Sequence, residues 1–267
     1  MIVCGYVALM DLAADQFYDG WAFEYDLIFS DWWAFAEASG AALAERLDAA
    51  GVPANGRVLD ATCGIGTQAV PLAKRGFTVT ACDISSRSIE RARQGAGRRE
   101  VQVDFRVLDV RGLSLSGLGG FDAVVSYGNS LPHLITDEDL DAALVEMHAA
   151  LAPGGVIAIA IRDYAALIET TPTGTPGVRV DDQHGERIYG QAWQWAPDRR
   201  RVTIHVFLLQ HSEGDWKTTM RSTTYRTLTR DDLSAALNRT GFVAIEWHGP
   251  DAVDPNQPVV TARRPSD

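Results

Sequence analysis

Chemistry is concentrated in a few short runs. The first is Arg57-Val-Leu-Asp60-Ala-Thr-Cys-Gly64-Ile-Gly66-Thr-Gln-Ala69. It reads as a short buried strand, a glycine turn and a helix from about Thr67 to Arg75. Glycines at 64 and 66 let the backbone turn sharply and let a ligand approach the main chain with no Cβ in the way. The helix that follows presents free N–H groups and a partial positive charge, which suit a carboxylate or a phosphate. Gly64, Gly66 and Ala69 also satisfy the dinucleotide fingerprint, whose third glycine is replaceable by alanine. Downstream residues must separate a nicotinamide cofactor from another adenosyl ligand.

Two carboxylates follow. Asp83 ends the next strand, seventeen positions after Gly66, where it faces the crevice and can accept both ribose hydroxyls. A cap on the helix from Ser86 is the competing reading. Asp109, in Phe105-Arg-Val-Leu-Asp109-Val, ends the third strand. It can take an adenine amine while Val110 packs on the ring. Further on, Arg162 in Ile161-Arg-Asp-Tyr164 stands at a strand's carboxyl end, where a guanidinium can clamp a carboxylate bidentately. An ion pair with Asp163, or a solvated edge, is the alternative. His133 has the near-neutral titration expected of a general base, against a role supporting the turn at Asn129. Tyr18 and Tyr225 offer hydroxyls or mere packing. The tryptophans, including Trp32-Trp33 and Trp193-Gln-Trp195, read as packing rather than as a methylammonium cage.

These positions need an alternating scaffold. Apolar groups at helical spacing run from about Asp31 to Ala50, ended by Gly51-Val-Pro53. Strand-like runs follow at Arg57–Asp60, Phe77–Cys82, Val103–Val107, Phe121–Tyr127 and Gly155–Ile161. Between them lie helical runs, clearest at Thr67–Arg75, Ser86–Gln94 and Glu138–Leu151. Such alternation implies a parallel, doubly wound α/β sheet. After Ile161 the pattern turns extended: Val178–Val180, Ile188–Trp195, Val202–Gln210 and Trp216–Arg226 pair as an antiparallel ribbon. A helix from Thr229 to Arg239 and strands near Phe242–Trp247 and Val259–Ala262 close the chain, and the tail Arg263–Asp267 is expected to fray. Residues 1–50 are read as a lid and helix, 51–165 as the ligand-binding core, 166–228 as a β-rich lobe and 229–267 as the closing helix and strands.

Composition narrows the classes. The chain has 267 residues, 46% of them hydrophobic, enough for a full core, and a formal net charge of −11 with no dense basic stripe. That argues against a nucleic-acid substrate. Cys4, Cys63 and Cys82 have no metal-ligand spacing and fit reduced thiols in a cytoplasmic protein. Met1–Met10 is apolar but lacks a basic lead and a cleavage site, and is too short to span a bilayer.

Taken together, Asp60-Ala-Thr-Cys-Gly-Ile-Gly66, Asp83 and Asp109 resemble the cofactor motifs of class I S-adenosylmethionine-dependent methyltransferases. Tyr127-Gly-Asn129-Ser-Leu-Pro-His133-Leu and Ile161-Arg162-Asp163-Tyr164 resemble segments of the glycine and sarcosine N-methyltransferases, as does Asp15-Gln-Phe-Tyr18-Asp-Gly20 in the amino-terminal lid. The resemblance implies a Rossmann-like sheet with an antiparallel final strand, an amino-terminal lid and an added β-rich lobe. It assigns S-adenosylmethionine to Asp60, Gly64, Gly66, Asp83, Ile84, Asp109, Val110 and Tyr127, with Tyr25 beside it. The acceptor falls to Arg162, Asn129, Tyr18, His133 and Tyr225. Direct displacement of the methyl group by a small carboxylate-bearing amine is the implied reaction, with no metal, no membrane and no nucleic acid involved. A homo-oligomer is compatible with it.

Two departures stand out. Where the glycine-type enzymes carry a basic residue in the early helix, this chain has Phe29-Ser-Asp31-Trp-Trp, and Asp163 replaces their asparagine. The cofactor carboxylate is then left to helix N–H groups or to another residue, of this chain or of a second copy, and glycine is not singled out as acceptor. An O- or C-methyltransferase of a small metabolite stays open. So, more distantly, do a nicotinamide oxidoreductase and a non-catalytic adenosyl-binding protein.

Overall fold

A computed structural model describes residues 14–212, 214–250 and 253–266; Met1–Met10 and Cys4 lie outside them. The expected parallel core is present. Strands β1 (Arg57–Asp60), β2 (Thr78–Asp83), β3 (Asp104–Val107), β4 (Phe121–Ser126) and β5 (Leu151–Ala160) pair in parallel. Strands β10 (Val243–His248) and β11 (Val259–Arg263) close the sheet antiparallel, giving the order β10-β11-β5-β4-β1-β2-β3.

The strand sequences explain the layers. Neighbouring residues of a strand face opposite sides, and both sides of these strands are apolar, so helices must cover both. On one side Val58, Val79 and Val125 meet Leu43 and Leu47 of α2 (Trp32–Ala49), Val70 and Leu72 of α3 (Ala69–Lys74), and Ile89 of α4 (Ser86–Gly97). On the other, Leu59, Val124, Ile157 and Ile159 meet Leu140 and Leu144 of α5 (Asp137–Ala150) and Leu233 and Leu237 of α7 (Arg230–Arg239). Helix α3 begins later than the expected Thr67, after the glycine turn is complete. Its Pro71 sits in the first turn, where no intrahelical N–H bond is lost. Helix α4 is capped by the Ser85 hydroxyl, not by Asp83.

The extended segments after Ile161 form a second sheet, longer than expected at its start. Strands β6 (Gly174–Asp182), β7 (Gly185–Trp195), β8 (Arg201–Ser212) and β9 (Asp215–Arg226) pair sequentially and antiparallel. One face of it, with Val202, Ile204, Val206 and Tyr225, packs on Phe17 and Trp21 of α1 (Ala14–Trp21). A 3-10 turn at Tyr25–Ile28 follows α1. Arg187 on β7 braces it, donating to the Leu27 carbonyl at 2.9 Å and the Phe29 carbonyl at 3.1 Å while pairing with Asp182 at 2.7 Å.

Two expectations fail locally. Helix α6 (Tyr164–Thr170) has no counterpart in the sequence reading; Asp163 caps it and pairs with Arg230 at 2.8 Å, so Asp163 is not the partner of Arg162. The tail is tied down rather than frayed as far as Arg264, whose N–H donates to Gly155 at 2.9 Å and whose guanidinium reaches the Leu151 carbonyl at 2.6 Å. The ladder with β5 therefore continues past the last strand residue. No helix among the described residues is long and apolar enough to cross a membrane.

Gly66 has φ of +91°, and a Cβ there would lie 3.0 Å from Val70 Cγ2 and 3.4 Å from Ala92 Cβ. Gly66→Ala is expected to lower unfolding stability by about 1–3 kcal/mol, read as a lower denaturant midpoint at unchanged slope.

Candidate active site

The carboxyl ends of β1, β2, β4 and β5 open on one cavity of about 880 Å³. Its first half is built from the glycine turn. Gly64, at φ +53°, donates its N–H to Asp83 Oδ2 at 2.8 Å, and a Cβ on it would meet no protein atom within 4 Å. The turn thus shows bare backbone to open space. The other oxygen of Asp83 accepts the Ser85 N–H at 2.9 Å, and burial pushes the carboxyl upward. Ile84, Leu108 and Val110 line the same half, with Tyr127 and, from the lid, Tyr25, whose hydroxyl burial pushes up to about 12.

Asp109 lines the cavity and caps the 3-10 turn after β3. Its carboxylate takes the Arg111 guanidinium at 2.6 Å, which holds it below the usual range, and Arg111 also pairs with Asp139 at 2.6 Å. Asp60 and Gly66 stand behind the turn instead of facing the cavity. Asp60 is 1% exposed; Oδ1 accepts the Thr62 N–H at 3.4 Å, Oδ2 meets no partner among the described residues, and burial pushes the carboxyl up to about 7.

The second half gathers around Arg162. The guanidinium carbon lies 5.2 Å from the Trp193 ring and 5.8 Å from the Tyr225 ring, and Nη1 is buried without a hydrogen-bond partner among the described residues. Its position is set by Asn129, a buried residue at φ +63°. Asn129 Oδ1 accepts the Arg162 N–H at 3.0 Å and its Nδ2 donates to the Tyr164 hydroxyl at 2.9 Å. Asn129 was expected at the acceptor; the structure spends both its polar atoms on the scaffold.

His133 lines the cavity without the near-neutral titration that a general base would need. Burial and the facing Arg162 draw its pKa down to about 3, because a charged ring there would lose water and meet a like charge. The neutral ring links the Tyr18 hydroxyl, 3.0 Å from Nε2, to the Thr223 hydroxyl, 3.5 Å from Nδ1. Tyr225 stacks on it, ring centroids 4.2 Å apart, and hydrogen-bonds Tyr18 from outside the cavity wall. Asp19 fastens α1 to α4, accepting from Ser85 Oγ at 2.6 Å and the Arg87 N–H at 3.1 Å.

Sequence reasoning missed several lining residues. Gln191 on β7 lines the cavity; it shares a face with Trp193, two positions on, a signal that alternation could have supplied. The loop Val253–Gln257 lines the cavity too; it has no periodicity and only its place beside β5 reveals it. Arg111 and Arg162 are the guanidiniums of the lining, and α2 contributes Phe35 and Ser39 but no cation.

Residues 58–155 match the family model described as a methyltransferase domain. A glycine/sarcosine N-methyltransferase from Halorhodospira halochloris is 31% identical over 247 residues, covering 90% of this chain and 83% of its own length. The chain belongs to the class I S-adenosylmethionine-dependent methyltransferases. Two solved structures share the fold. One is an S-adenosylmethionine-dependent methyltransferase from Clostridium acetobutylicum, with a TM-score of 0.72, 18% identity, and 93% of this chain and 99% of that one covered. The other is the amino pentose methyltransferase CalS10 from Micromonospora echinaspora, with a TM-score of 0.69, 22% identity, and coverage of 86% and 91%. S-adenosylmethionine is accordingly the cofactor of this methyltransferase. The site fits it: the open face of Gly64 and the carboxylate of Asp83 lie on one wall of a cavity with room for cofactor and acceptor together.

The Asp60 carboxyl makes a signed prediction. It keeps its proton to about 7 when folded, against 3.8 ordinarily, so the folded state binds more protons in between and stability falls as pH rises through that window. Asp60→Asn cannot ionise. Its stability relative to wild type should therefore rise by about 1–3 kcal/mol between pH 4 and 7 and level off above, as followed by denaturant unfolding of the free protein.

Proposed function

We propose that this methyltransferase acts on the nitrogen of a small carboxylate-bearing amine, an amino acid or a derivative, by direct in-line displacement. The observation that carries this reading is the buried Nη1 of Arg162, flanked by the Trp193 and Tyr225 rings and lacking an acceptor among the described residues. A guanidinium is charged at every relevant pH, and an N–H without an acceptor in a cavity wall invites a carboxylate. The glycine/sarcosine relative at 31% identity supports the same acceptor class.

Gly64, Asp83, Ile84, Asp109, Val110, Tyr127 and Tyr25 would hold the cofactor, while Asp60 and Gly66 shape the turn from behind. Bound there, S-adenosylmethionine supplies a methyl group on a sulfonium, already a strong leaving group. The chain's own task is then alignment and exclusion of water. Arg162 anchors the acceptor's carboxylate, and Asn129 is its positioning residue through the backbone N–H. Tyr18, held by His133 and Tyr225, faces the acceptor with an oriented hydroxyl. His133 acts as a neutral link in this chain, since its lowered pKa keeps the ring from storing a proton near neutrality.

Incubation with methyl-labelled S-adenosylmethionine and a panel of amino acids, small amines and aromatic carboxylates tests the proposal by mass spectrometry. Label is expected on the nitrogen of a carboxylated amine. Arg162→Met should lower kcat/KM for that acceptor by about 30- to 1,000-fold, with cofactor affinity held within about twofold. Label on oxygen or carbon, or a variant as active as wild type, would overturn it.

A further inference from the structure

The β5–β11 ladder continues beyond its two strands. Its last register pair is Val259 with Ala160, yet the Ile161 N–H donates to the Pro258 carbonyl at 3.3 Å and the Asp163 N–H to the Asn256 carbonyl at 3.2 Å. Antiparallel register then sets Gln257 directly opposite Arg162, between those two bonds. Such facing residues direct their side chains to the same side of the sheet, with Cβ atoms about 4.5–5.5 Å apart. The cavity lining agrees, since Ala160, Arg162, Val259 and Gln257 all belong to it.

The amide of Gln257 is oriented. Its Nε2 donates to Asp254 Oδ2, and Asp254 Oδ1 accepts the Asn256 N–H at 3.3 Å. A carboxylate only accepts, so the amide nitrogen must face it and the carbonyl must turn away. Oε1 is buried and has no partner among the described residues. Unmet buried acceptors are rare in native structures. Here one stands across the ladder from an unmet buried donor, Arg162 Nη1.

We propose that Gln257 Oε1, backed by Asp254, recognises the nitrogen of the methyl acceptor. A zwitterion fits both orphans at once: its carboxylate reaches Arg162, its N–H reaches Gln257, and the charge of Asp254 matches the ammonium. Once the ammonium has given its proton to solvent water, one N–H held by Gln257 restricts rotation about the carbon–nitrogen bond and gives the nitrogen lone pair a defined direction. The inference rests on the carboxylate-bearing-amine reading above and deepens it.

The test is isothermal titration of the protein loaded with S-adenosylhomocysteine, using pairs that differ only in nitrogen: glycine and acetate, alanine and propionate, phenylalanine and 3-phenylpropionate. Wild type should bind the amine of at least one pair about tenfold or more tightly than its partner acid. Gln257→Met should reduce that preference to about threefold or less while leaving affinity for the acid and for S-adenosylhomocysteine unchanged. Asp254→Asn removes the charge and, because an amide both donates and accepts, no longer fixes which way the Gln257 amide points; a preference between those of wild type and Gln257→Met is expected, from a substitution that leaves the backbone bonds of the ladder in place. Unfolding midpoints confirm that each variant is folded. Acid binding that needs Arg162, with a preference for the amine that neither variant alters, would overturn the role of Gln257 and leave the carboxylate reading standing. Failure of wild type to bind any of the six would overturn both.

Discussion

An arginine N–H sealed from water and offered no acceptor is a constraint that the rest of the molecule must satisfy. Withdrawing a charge from water costs several kcal/mol even after relaxation, and at Arg162 the described residues return only the faces of two aromatic rings. The guanidinium is held where it is by groups from four separate places. Asn129, after β4, fixes its backbone; Tyr164, at the start of α6, fixes Asn129; Trp193 comes from β7 and Tyr225 from β9. The second sheet is therefore part of the site itself, since without it the cation would face solvent.

The cavity divides by origin. The half proposed for the cofactor is made by the strand ends of β1 to β4 and one glycine turn of the parallel core, with Tyr25 added from the segment before α2. Its acceptor half is assembled from β5, β7, the lid and the loop before β11, segments that meet only in the finished fold. The two halves also differ in how these polar groups are met. Asp83 and Asp109 already have backbone or guanidinium partners, whereas Arg162 Nη1 and Gln257 Oε1 have none among the described residues. A polar group already met can share itself with a ligand at small cost, and one left unmet gains most from the ligand that completes it.

This division sets what could be read from the sequence. The parallel strands and the run from Asp60 to Gly66 were legible because they depend on local periodicity and turn chemistry, whereas the antiparallel close was implied only by the family resemblance. Arg162 was legible as the end residue of a strand. Asn129 was visible but its duty was not, for nothing local shows that a left-handed residue will spend its amide on two neighbours from β5 and α6. For His133 the motif allowed both a base and a supporting role and could not choose between them, because its titration depends on burial and on Arg162, neither of which the motif displays. The contact of Tyr18 with His133 spans 115 positions, and the loop at Asp254–Gln257 carries no pattern at all. Helix α6 is only seven residues long, too brief for periodicity to announce.

The bracing of the lid by Arg187 has a mechanical side. The chain from α1 to α2 is held to both sheets: Asp19 ties α1 to α4 and Asp26 pairs with Arg91 of α4, while Phe17 and Trp21 pack on the second sheet and the Arg187 guanidinium holds residues 27–29 to it. Tyr25, on the cofactor wall, lies between these fastenings. It cannot follow one sheet without pulling on the other. Arg187 stands on the strand that carries Trp193 and holds residues 27–29 beside Tyr25, so a side chain outside the cavity joins the strand flanking Arg162 to the segment that carries Tyr25.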